Sequence, residues 1–236
     1  MKKYLLLLLL TLTFIVLVAV ESDPSATVGY FKKSIASNAW DTMSLPFNYA
    51  HMSPDSIFGT QFSEGDVIQD VGTGDNWTFY TGYGWFPSSE TYTELALGAA
   101  YWIYRFTDNP PLDYFIMGTV DPQPVTTLVR ANGWSCFSLN ESIEVSPDSL
   151  VIIGVLEGDV IQDVGTGDNW TYYDGYGWFP SSEVNVMLVP THSYWFYTTS
   201  PTDFTFTYPL VRNGRGSTVN LPTNVIHKMS DFKAKK

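Results

Sequence analysis

One stretch of 26 residues occurs twice in this chain. Residues 65–90 read GDVIQDVGTGDNWTFYTGYGWFPSSE, and residues 158–183 read GDVIQDVGTGDNWTYYDGYGWFPSSE. Only two positions differ, Phe79 against Tyr172 and Thr81 against Asp174. The offset of 93 runs upstream to Ser53-Pro54-Asp55-Ser56 against Ser146-Pro147-Asp148-Ser149, and downstream to Tyr101-Trp102 against Tyr194-Trp195. With a one-residue gap, Asn38-Ala39-Trp40 aligns with Asn132-Gly133-Trp134. Self-similarity at a fixed period makes the fold a set of copies of one unit. The bodies expected from it run from 37 to 129 and from 131 to 221. Near identity confined to one stretch is open to two causes: a shared binding or packing role, or recent duplication.

A third partial copy is expected in residues 222–236. Asn224, Ile226, Met229 and Ser230 repeat the spacing of Asn38, Trp40, Met43 and Ser44. That would give three opening strands for two bodies. A spare strand can close its own second domain, or it can act as an assembly strand on a neighbouring subunit, because an unpaired edge invites pairing.

Short runs rich in Val, Ile, Tyr, Phe and Trp favour strands: 66–71, 77–80, 102–106 and 114–120. Turn signals separate them at Gly72-Thr-Gly74-Asp75-Asn76, Thr81-Gly82-Tyr83-Gly84 and Asn109-Pro110-Pro111. Ser53 before Pro54 is the pattern of a single helical turn. The expected fold class is all-β, two tandem antiparallel β-sandwich or small-barrel domains of about 90 residues related by duplication.

Composition excludes several functions. Charged residues are 15% against an average of roughly 25%, while 44% are hydrophobic and 16% aromatic, so the chain is not a solvating tail. The net charge of −12 excludes a basic nucleic-acid surface. A single cysteine, Cys136, excludes a disulfide framework and reads as an apolar strand filler. Between residues 34 and 209 the only basic residues are Arg105 and Arg130, against 21 Asp and Glu, with basic residues gathered at the two ends. Residues 1–20 carry Lys2 and Lys3 before a 17-residue apolar run, the pattern of a signal peptide or signal anchor, so the body is expected to be secreted or at the cell surface.

The opening, middle and closing motifs resemble a β-repeat of secreted and cell-surface proteins of bacteria and archaea. Its pattern is Trp-x-x-x-Ser-x-Pro followed by Phe-Gly, Asp-Val-Ile, Gly-Trp and a closing Gly-Tyr-Trp-Val. Trp40-Asp-Thr-Met-Ser44-Leu45-Pro46, Phe58-Gly59, Asp66-Val67-Ile68, Gly84-Trp85 and Tyr101-Trp102-Ile103 match it. The second copy departs at Asn140, in place of Pro, and at Ser193, in place of Gly. The resemblance implies an extracellular, non-catalytic β module and carries no catalytic residue.

Chemistry-bearing motifs are few. No nucleophile elbow, metalloprotease helix or P-loop occurs, and His51, His192 and His227 fall at unrelated repeat positions. Asp70, Asp75, Asp163 and Asp168 read either as calcium ligands or as turn caps; no other cofactor is expected. Asn76, Asn140 and Asn169 begin glycosylation sequons. The aromatic hairpins, Trp77, Tyr80, Tyr83 and Trp85 with Trp170, Tyr173, Tyr176 and Trp178, are open to three readings: core packing, a subunit interface, or a platform for sugar rings. The expected function is that of a non-catalytic structural or adhesive surface protein, including a self-assembling subunit, with a carbohydrate-binding module as the alternative. Expected partners are copies of itself, other surface proteins or glycans.

Overall fold

A computed structural model describes residues 28–120 and 124–208. The expected signal segment and the strand at Asn224, Ile226, Met229 and Ser230 lie outside the described residues. Over the described residues the fold is all-β, with two similar sandwich-like domains and, among those residues, no closed barrel. In the first domain, β1 (Val28–Ile35) pairs with β7 (Leu112–Thr119). Facing them is a five-stranded sheet in the order β2 (Ala39–Met43), β6 (Tyr101–Arg105), β3 (Val67–Asp70), β4 (Asn76–Tyr80) and β5 (Gly84–Pro87). The second domain repeats this plan. There β8 (Val125–Val129) pairs with β14 (Phe204–Tyr208), and the larger sheet runs β9 (Gly133–Ser138), β13 (Ser193–Thr198), β10 (Val160–Asp163), β11 (Asn169–Tyr173) and β12 (Gly177–Pro180). All pairings are antiparallel. β1 and β8 begin ahead of the boundaries read from the repeat, and each pairs with the last described strand of its own domain.

Alternation builds the core. Ile68, Trp77, Phe79, Trp85, Tyr101 and Ile103 point inward from the larger sheet and meet Ile35, Tyr114 and Ile116 from the smaller one. Ile161, Trp170, Trp178, Tyr194 and Phe196 meet Val129 and Phe206 in the same way. Ser53 caps the short helix α1 (Pro54–Phe58), accepting from Ser56 N at 3.3 Å. Its counterpart, Pro147–Leu150, tightens to a 3-10 turn. The next residue, Val151, has φ of 49°. A β-branched side chain in the left-handed region is strained by about 1–3 kcal/mol.

Each core also holds a buried carboxylate. Asp66 accepts from Ser63 N, Phe106 N and Asn109 Nδ2, each at 2.9 Å, and from the Arg105 guanidinium, which is itself buried. Asp159 occupies the same place without a cation among the described residues. It accepts from Leu156 N at 2.8 Å, Thr199 N at 3.1 Å and the Thr198 hydroxyl at 2.9 Å. A buried polar group must be bonded, and the two copies meet that demand differently.

The domains meet reciprocally. Ser138 of the second donates to Ala99 O at 2.6 Å and, through its N–H, to Gly98 O at 2.8 Å. Ser193 donates to Met43 O at 2.9 Å and accepts from Tyr101 N at 3.1 Å. Gly72 faces Cys136, and its repeat partner Gly165 faces Thr42, which is the repeat partner of Cys136. A Cβ at Gly72 would lie 2.9 Å from the Cys136 sulfur, and one at Gly165 would lie 3.2 Å from the Thr42 hydroxyl. Both turns therefore depend on the missing side chain for close approach.

Sheet edges are capped unequally. In the first domain, Asp55 accepts from Trp85 N on β5 at 3.1 Å, and Asp41 accepts from Thr42 N on β2 at 2.8 Å while Lys33 donates to Thr42 O. Gln61 pairs like a strand with β7: its carbonyl accepts from Phe115 N at 2.7 Å and its amide donates to Phe115 O at 3.1 Å. Among the described residues only the first of these devices recurs, as Asp148 accepting from Trp178 N at 3.1 Å. Where Lys33, Asp41 and Gln61 would be repeated, the second domain has Thr127, Ser135 and Gly154.

Candidate functional site

The sheet faces turned away from the cores carry nearly the same side chains in the same register, with Cys136 in place of Thr42 and Phe179 buried where Phe86 is exposed. On the first, Trp40 lies opposite Tyr104, Tyr104 opposite Val67, Val67 opposite Thr78, and Thr78 opposite Phe86. On the second, the row is Trp134, Tyr197, Val160, Thr171 and Phe179. The adjacent row is Thr42, Trp102, Gln69 and Asn76, matched by Cys136, Trp195, Gln162 and Asn169.

Two indoles and a phenol form a corner in each row pair. Trp40 stacks on Tyr104 with centroids 4.8 Å apart, and meets Trp102 edge-on at 6.4 Å and 80°. Trp134 lies 5.0 Å from Tyr197 and meets Trp195 at 6.4 Å and 79°. Trp40 and Trp134 are each 50% exposed, large for an indole. Trp40, Trp102 and Gln69 line a shallow pocket of about 350 Å³, within the range of small-molecule sites. Gln69 is oriented by donating to Gly74 O at 3.2 Å, which leaves its carbonyl as an acceptor beside the rings; Gln162 donates likewise to Gly167 O at 3.3 Å.

Of the expected hairpin residues, Trp77 and Trp170 are 1% exposed, and Trp85 and Trp178 are also buried. Their rings pack in the cores and offer no face to a ligand. Tyr80, Tyr83 and Tyr176 are exposed and Tyr173 is half-buried, at the hairpin ends away from the corners. Trp40, Trp102, Tyr104, Trp134, Trp195 and Tyr197 sit in no binding motif of the sequence; only their strand parity, one residue off the buried positions, marks them.

Asp70 and Asp163 close turns. Asp70 Oδ1 accepts from Gly72 N at 2.7 Å and Thr73 N at 2.9 Å, and Asp163 Oδ1 accepts from Gly165 N at 2.8 Å and Thr166 N at 2.9 Å. Asp163 Oδ2 also meets His192 Nδ1 at 2.6 Å. Asp168 accepts from the Asn185 amide, and Asp75 sits at the matching turn of the first domain. Among the described residues no group of three His, Cys, Asp or Glu could hold a metal. Burial lowers Lys33, against the raising effect of Asp41 and Asp163. Among the described residues no helix is long and apolar enough to cross a membrane.

No protein-family model matches the chain, and no curated protein or solved structure matches it.

Proposed function

We propose that this is an exported, non-catalytic adhesion module that binds neutral glycan chains at two equivalent aromatic corners, one per domain. The observation that carries this reading is which residues the two copies keep outside their near-identical stretch. Two buried neighbours have exchanged, Met43 for Phe137 and Ile103 for Phe196, although buried Tyr101/Tyr194 and Leu45/Leu139 are kept, while exposed Trp40/Trp134 and half-exposed Trp102/Trp195 and Tyr104/Tyr197 are all unchanged. Packing alone would hold the buried set and release the exposed one. A sugar ring offers an apolar C–H face to an indole and hydroxyl donors to the Gln69 or Gln162 carbonyl. The strongly acidic body disfavours polyanions. Two sites on one chain raise avidity for a repeating polymer by about 10²–10⁴ over either site alone. Adhesion and carbohydrate binding thus become one activity.

The test is affinity electrophoresis and pull-down on insoluble neutral polysaccharides, with titration of soluble oligosaccharides. Trp40→Ala or Trp134→Ala should each remove the avidity on polymer and leave one weak site. The double variant should bind nothing while keeping its near-ultraviolet circular dichroism. Trp77→Ala is the control for folding, expected to cost about 3–5 kcal/mol of stability by opening a core cavity. Undiminished binding by a folded double variant would overturn the reading.

A further inference from the structure

The second domain leaves open an edge that the first domain closes. Phe115 turns its N–H and C=O outward on β7, where Gln61 takes both. The register carries Phe115 onto Thr207 and Asp113 onto Thr205, since Leu112 faces Ile35 as Phe204 faces Val129. The Thr207 and Thr126 hydroxyls lie 2.8 Å apart, the close side-chain approach of a pair whose backbone bonds point away from each other. Gly154 stands in the place of Gln61 and has no side-chain amide to offer. No described residue bonds the outward backbone groups of Thr205 and Thr207.

Apolar surface lies beside that edge. Ile153 is 82% exposed, and Val151 and Leu156, on the same loop, are exposed as well. The corresponding first-domain residues are Thr60, Phe58 and Ser63, so the apolar exposure belongs to the second copy alone. A Cβ on Gly154 would touch the Phe204 ring at 3.4 Å, which places the loop against β14.

We propose that Asn224–Ser230 of the same chain adds to the outer edge of β14 and covers Val151, Ile153 and Leu156. Three features argue for this occupant. Its spacing of Asn, two apolar residues and Ser is that of β2 and β9, and both of these form the outer strand of a sheet. As a strand it would set Val225 and Met229 on one face for the apolar loop, and it carries Lys228, followed by Lys233, Lys235 and Lys236, for an acidic body. Fifteen residues, 209–223, separate it from Tyr208. At about 3.3 Å per residue they reach far beyond one domain, and a tether of that length makes return to the same chain cheaper than capture of a second one.

Backbone amide exchange tests this directly. The full chain is compared with a chain ending at Leu221, at two concentrations tenfold apart, with molar mass measured by light scattering. The amides of Thr205 and Thr207 should exchange at least about tenfold more slowly in the full chain, at both concentrations, with a monomer mass. Met229→Asp in the full chain should release the same amides while leaving those of the first domain unchanged, and a synthetic 222–236 peptide added to the shortened chain should restore protection. Equal exchange in the full and shortened chains would overturn the proposal. So would protection that fades on dilution together with a dimer or larger mass, since the strand would then come from a second copy.

Discussion

Replacing Arg105 with Met leaves the Asp66 carboxylate buried without its cation. Breaking a buried ion pair from one side typically costs about 3–5 kcal/mol. Asp66 retains Ser63 N, Phe106 N and Asn109 Nδ2 as donors, which places the expected loss near the lower figure, about 3 kcal/mol. Arg105 Nε also holds Pro110 O at 2.7 Å, and that acceptor is released as well. Arg105→Thr restores the residue type found opposite Asp159. A hydroxyl bond to a charged group contributes about 1.5–3 kcal/mol, offset by the volume that the guanidinium vacates. The threonine variant should therefore lose only about half as much as the methionine variant. Urea unfolding monitored by tryptophan fluorescence gives both values, and amide exchange should locate the loss in the first domain. The reasoning fails if Arg105→Met lies within 1 kcal/mol of the wild type, or if Arg105→Thr is no better than Arg105→Met.

Asp163 gives a pH dependence. Burial raises its carboxyl, but bonds from His192, Thr166 N and Gly165 N outweigh that and hold it below 3.8. A carboxyl lowered in the folded chain contributes stability above its unfolded value, and this is lost as pH falls through the lower folded value. Urea unfolding of the wild type should weaken below pH 3.8, and Asp163→Asn should remove that part of the slope. Cys136 is raised from 9.0 first by burial and then by Asp70. Its thiol should react with iodoacetamide at pH 8 at least about tenfold more slowly in the native chain than in guanidinium, where burial is gone; equal rates would show that the domain contact leaves it accessible.

The repeat and its turn residues made most of the architecture legible. Strands 66–71 and 77–80 are found as Val67–Asp70 and Asn76–Tyr80, because Gly-Thr-Gly-Asp-Asn admits only a tight connection between them. Strands β1 and β8 were missed. Their sequences have diverged, Lys33 against Thr127 for example, and repeat matching cannot see what duplication no longer preserves. The hairpin aromatics were readable as a cluster, but not as inside or outside. Alternation puts Trp77 and Phe79 on one face and Thr78 and Tyr80 on the other, and it is the first pair that is buried, but Tyr80 leaves an aromatic on the outer face too. The corners were harder still: Trp40, Trp102 and Gln69 come from three strands, and only pairing across the sheet brings them together.

The reciprocal domain contact limits how this repeat can multiply. Each copy offers the other the same patch: the turn at Gly72 or Gly165, and the strand end at Thr42 or Cys136. A contact in which like meets like is complete when two copies are joined, as in a twofold homodimer. A third full copy inserted in tandem would find that patch already occupied on both of its predecessors. Longer arrays of this unit would therefore grow in even steps, as pairs of pairs, whereas a stack of head-to-tail repeats can lengthen by one.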